Sequence, residues 1–161
     1  MSLFGDDRFQ WRETYFVLFR ERDRPDAKQA VRSIVGEDGR FDVSNVRADS
    51  KGKLESLTLT SPDDFAAMDI SYVAGDEVSE QVEELTREVA QGTLTGDERE
   101  KLKRLAKCDA RFDIFHFEQR MLDGEDGDDE FLDPAALLIV MDRLSRACGG
   151  VAIDPQSGSF M

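Results

Sequence analysis

The chain has 161 residues, 40% of them hydrophobic and 11 of them Phe, with 35 acidic against 21 basic side chains for a net charge of -14. The apolar content argues against disorder, and the length suits one domain that buries roughly 70% of its unfolded surface without disulfide or metal staples. The negative balance opposes binding to DNA, RNA or anionic membrane, because affinity for those surfaces comes from Lys and Arg.

Glu13 to Phe19 is a short aromatic and β-branched run, the pattern of a buried strand. Asp23-Arg24-Pro25 starts a helix over 25–35, with Ala27, Ala30, Val31 and Ile34 on one face, and Gly36 to Gly39 stops it. Phe41, Val43 and Val46 predict a strand, and the broken alternation at Asn45 predicts a bulge. Leu57 to Thr60 alternates as a half-buried strand, Ser61 to Asp64 interrupts it, and Met68, Ile70 and Tyr72 alternate with Asp69 and Ser71 as the next.

The clearest amphipathic helix is Asp76 to Gln91. Val78, Val82, Leu85 and Val89 recur four, three and four apart, while Glu80, Glu83, Glu84 and Glu88 face water. Thr95 to Glu98 fits a capping box for a second charged helix ending near Lys107. Phe112 to Glu118 reads as a strand with two apolar faces, Phe112, Ile114 and His116 on one and Asp113, Phe115 and Phe117 on the other. Such a strand is expected to be central and covered on both sides.

Residues 119–131 read as a mobile acidic loop holding Asp123, Glu125, Asp126, Asp128, Asp129 and Glu130. A last helix begins with Asp133 as N-cap and Pro134 at its first position, and ends at Gly149-Gly150. A strand at 151–153 and a turn at 154–158 follow, with room for a short terminal strand. The order predicts a single α+β domain over 1–161, a mixed and mainly antiparallel sheet of about six strands with about four helices packed on it. Its first and last β-α-β pieces are candidates for ferredoxin-like split units.

Charge is uneven along this order. Residues 76–130 carry 8 bases and 18 acids, whereas 1–75 carry 11 and 14. Two cysteines make no disulfide framework. The N-terminus lacks a signal-peptide pattern, and no apolar run approaches the roughly 20 residues of a membrane span. A cytoplasmic protein is the expectation.

Chemistry is sparse. His116 is the only histidine, and a histidine on an apolar strand is first a core residue; it becomes a general base only if it lines a cleft. Cys108 and Cys148 fall at helix C-terminal ends, where the dipole disfavours a thiolate. One histidine and two distant cysteines do not make a zinc site, no phosphate loop or nucleophile elbow is present, and neither register of the acidic loop satisfies the calcium-loop pattern. No metal or cofactor is therefore expected. The strand carboxylates Asp42, Asp69, Asp113 and Glu118 could serve acid–base chemistry if two met at one site. Asp113, on an apolar face, calls for a partner such as Arg111 or Arg12.

Three functions compete. The leading one is a non-enzymatic acidic interaction or regulatory domain that binds a basic protein through 76–130, its acidic loop in particular. The second is a small-molecule binder or enzyme using strand carboxylates and His116 in a sheet pocket, with His116 and Asp113 as the catalytic candidates. The third is a homodimer through the helix carrying Leu137 to Met141, which is apolar nearly all round.

Overall fold

The computed structural model describes residues 3–119 and 134–161. Among these residues alternating apolar runs form seven strands: β1 (Phe9–Phe19), β2 (Asp42–Ala48), β3 (Leu54–Ser61), β4 (Ala66–Ala74), β5 (Ala110–Gln119), β6 (Val151–Asp154) and β7 (Ser159–Phe160). They make one sheet in the order β2-β3-β4-β5-β1-β6-β7. Every pairing is antiparallel, so the expected mixed sheet is corrected to a wholly antiparallel one, one strand larger. Four helices among the described residues pack on it: α1 (Ala27–Val35), α2 (Asp76–Ala90), α3 (Gly96–Leu105) and α4 (Ala135–Cys148). The α+β class stands.

β1 lies between β5 and β6, so β5 and β6 run parallel to each other and the segment β5–α4–β6 is a split β-α-β unit. The unit that opens the chain differs: β1 and β2 are separated by three strands.

The first face of the sheet is closed by α1 and α4. Tyr15, Val17 and Phe19 of β1, Ile70 of β4, and Phe112 and Ile114 of β5 meet Ala30 and Ile34 of α1 and Leu137, Val140, Met141 and Leu144 of α4. Phe19 stacks on Phe112 with ring centroids 4.7 Å apart. Each buried Val, Leu, Ile, Met or Phe side chain of this layer contributes about 1.5–3 kcal/mol from lost apolar exposure. Arg143 of α4 ties the layer together, donating to the Ile34 carbonyl at 2.8 Å and pairing with Asp38 at 2.9 Å.

Among the described residues, the second face is covered only at its ends. At one end Val78, Val82 and Leu85 of α2 and Leu105 at the close of α3 pack on Leu18, Val151 and Ile153. At the other end the segment before β1 crosses the sheet, burying Leu3 against Ala67 and Phe117. The expectation that β5 is covered on both sides is thus corrected: the strand is central, but Phe115 on its second face stays half-exposed.

Local signals account for most boundaries. Thr95 and Glu98 form the capping box that starts α3, each accepting from the other's backbone N–H. The bulge in β2 falls at Asn45, whose φ of 53° is left-handed, a region Asn tolerates. Helix α1 starts two residues later than Pro25 suggested, because 21–23 form a 3-10 turn and Asp26 pairs with Lys53 at 3.1 Å. Pro134 precedes α4 rather than opening it, and Asp133, its expected cap, lies outside the described residues. So do the six acids Asp123, Glu125, Asp126, Asp128, Asp129 and Glu130; Gln119, expected in their loop, closes β5.

Candidate functional site

Register decides what the open half of the second face presents. Side chains aligned across the strands form two rows between the covered ends. One row runs Arg47, Ser56, Ser71, Asp113, Phe16; the next runs Ser44, Thr58, Asp69, Phe115, Thr14. All but the two phenylalanines are polar. One face of an antiparallel sheet is often polar because it meets water. Here, however, α2 and α3 rise on one side and the N-terminal segment on the other, so the rows floor a trough.

Within the trough is a cavity of about 290 Å³, lined among others by Asn45, Arg47, Ser56, Ser71, Asp69 and Phe115. Asp69 is 8% exposed. It accepts from the Leu3 backbone N–H at 2.8 Å and from the Thr58 hydroxyl at 2.6 Å, so it pins the crossing segment to the sheet. Phe4, on that segment, meets Phe115 edge-on at 5.2 Å and borders the same cavity. The β2 bulge re-aims the backbone there, which brings both Asn45 and Arg47 to the rim.

His116 and Asp113 are not brought together. Strand alternation puts them on opposite faces of β5. His116 is 2% exposed, aligned with Met68 and Glu13, and its Nε2 has no hydrogen-bond partner among the described residues. Burial, with a smaller contribution from nearby Arg12, pushes its pKa down to about 4 and keeps it neutral. Asp113 pairs with Arg111 at 2.6 Å, the first of the two partners its setting called for. Arg111 also donates to Gln81 of α2 and lies over the Phe16 ring at 4.7 Å. Burial raises the Asp113 pKa, and the Arg111 charge works against that rise. The other expected partner, Arg12, reaches Glu118 at 3.5 Å.

Of the strand carboxylates, the fold places three on the second face, Asp42, Asp69 and Asp113, and of these Asp69 and Asp113 stand on neighbouring strands in adjacent rows. Diagonal neighbours of this kind lie roughly 7–8 Å apart. The sequence names Asp69 and Asp113 among its strand carboxylates, but the trough that holds them is not legible from local pattern, since polar residues alternating with apolar ones is all that a half-exposed strand shows. Cys108 and Cys148 are both buried, and burial lifts their thiols to about 11 and about 12, so neither is a nucleophile at neutral pH.

A second surface is electrostatic. Asp76, Glu77, Glu80, Glu83, Glu84 and Glu88 are exposed along α2, with Arg87 as that helix's one base. None of the six forms an ion pair among the described residues. In α4, by contrast, the apolar run is spent inside the fold: of Leu137 to Met141, Leu138 alone is exposed, at 48%. Among the described residues no three of His, Cys, Asp and Glu lie close enough to share a metal ion, and no helix is long and apolar enough to cross a membrane. Compared with models of known families, with curated proteins and with solved structures, the chain matches none.

Proposed function

We propose that this chain is a non-enzymatic interaction domain that engages a basic protein surface through the acidic face of α2. One observation carries the reading. Six carboxylates stand exposed on a 15-residue helix without a described cation to neutralise them. Elsewhere on the surface opposite charges do pair: Asp6 with Arg8, Asp38 with Arg143, Asp142 with Arg146. Uncompensated like charge on one helix lowers that helix's stability; a cationic partner would offset the cost and be steered to it over roughly a Debye length.

The same carboxylates could serve solubility alone, and the two roles separate by where charge is removed. Replacing Glu77, Glu80, Glu83 and Glu84 by Gln takes four charges from the α2 face. Neutralising Asp7, Glu37, Glu55 and Asp63 takes four exposed charges from other places. Binding of a lysine-rich peptide is then measured at low and at physiological salt. The reading expects the α2 variant to lose roughly tenfold in on-rate and affinity, with the salt dependence flattened, and the other variant to lose far less. Equal losses would show that only total charge matters, and the proposal would fall.

A further inference from the structure

The cavity on the open half of the second face has no part in that acidic surface, yet it has the make-up of a small-molecule site. Its polar groups converge from three strands: Arg47 and Asn45 from β2, Ser56 from β3, and Asp69 and Ser71 from β4. Arg47, Ser56 and Ser71 make no side-chain hydrogen bond among the described residues, and Ser56 and Ser71 sit directly opposite each other in the ladder. Phe115 supplies an apolar patch, extended by the edge-on ring of Phe4. A volume of about 290 Å³ has room for roughly ten water-sized groups. Small-molecule sites are built this way, from an apolar wall and a few placed polar groups.

Charge narrows the ligand. A simple anion drawn to Arg47 meets Asp69, and a simple cation drawn to Asp69 meets Arg47. An apolar ligand would strip water from the serines and the guanidinium without replacing its bonds, which is costly. A zwitterion such as a free amino acid needs Asp69 for its ammonium, but that carboxylate already holds the Leu3 amide and the Thr58 hydroxyl. The side chains with bonds to offer are two hydroxyls and a guanidinium. They suit a ligand that is itself rich in hydroxyls, each able to donate and accept, with one C–H face to lay on Phe115. We propose that the cavity binds a single neutral sugar ring.

Two-dimensional amide NMR titrations with glucose, galactose, mannose and N-acetylglucosamine test this, with leucine and inorganic phosphate as counter-probes. At least one sugar should give saturable shifts at the Ser56, Ser71 and Phe115 amides, with a dissociation constant in the millimolar range expected of so few atoms. Ser56→Ala with Ser71→Ala should weaken it roughly tenfold. Arg47→Ala, on the exposed edge strand, gives the same readout should the serine variant not fold. Asn45→Gly removes the amide side chain while keeping the left-handed backbone. Saturable binding that survives both the serine and the arginine variants would overturn the assignment. So would saturation by leucine or phosphate in place of sugar, or no saturable shift from any of the four sugars.

Discussion

His116 shows how one side chain can be informative without being functional. It sits neutral in the core, its Nε2 without a partner among the described residues and its pKa lowered from 6.5 to about 4 by burial. The unfolded chain therefore takes up the proton first as pH falls. The contribution to stability is complete above pH 6.5, shrinks as pH drops, and is gone near pH 4; the shift corresponds to about 3 kcal/mol. His116→Leu should abolish that part of the pH dependence. Denaturant melts of the two proteins from pH 7 to pH 4 should diverge toward the acid end, the variant as stable as the parent or more so at neutral pH, since the poorly satisfied nitrogen is gone, and ahead of it by about 3 kcal/mol more near pH 4. Parallel curves would place the acid sensitivity in the carboxylates. The composition carried the core assignment of His116, because a lone histidine between Phe112 and Phe117 has no second group to work with. In the sequence Asp69 is one strand carboxylate of four; its alignment with Phe115 and its bond to the Leu3 amide, both tertiary, are what set it apart.

Helices and strands were legible wherever one period dominates the sequence. The valines and leucine of α2 are all buried as their spacing required, and the capping box of α3 forms as written. Boundaries failed where a 3-10 turn intervened, as before α1, because three residues of such a turn leave no periodic trace. Glycines mark the same divide between local and tertiary causes. Gly150, between α4 and β6, touches the sheet: a Cβ there would lie 2.7 Å from the Leu18 carbonyl oxygen and 3.0 Å from Val17. Gly96, opening α3, has open space around the same position. Gly150→Ala should cost about 1–3 kcal/mol by overpacking, whereas Gly96→Ala should gain a few tenths to about 1 kcal/mol by stiffening the unfolded chain and favouring helix. Thermal denaturation of the two variants gives the signs directly. From sequence alone both glycines read simply as helix punctuation.

For the molecule as a whole, what the sequence left open was neighbourhood. Alternation tells which residues share a face of one strand but not which strands lie side by side, so the seven-strand order and the trough between α2 and the N-terminal segment emerge only in three dimensions. The trough exists because helices are distributed unevenly. Two close the first face across its breadth, while the two on the second face gather over Leu18, Val151 and Ile153 at one end.

The position of β1 between β5 and β6 also bears on how the chain is made. Partners for β1 lie 91 residues downstream at its far end, Phe19 with Ala110, and 110 downstream at its near end, Phe9 with Gln119. During synthesis the segment Phe16-Val17-Leu18-Phe19 leaves the ribosome long before anything exists to pair with it. Such distant pairing slows folding and leaves sticky segments uncovered meanwhile. A nascent chain stalled before residue 110 should be held by chaperones or aggregate, and one released after residue 154 should not. Proteolysis of stalled chains of increasing length would locate the point of protection; if it appeared before β5 had emerged, β1 would have to find shelter in contacts other than its native ladder.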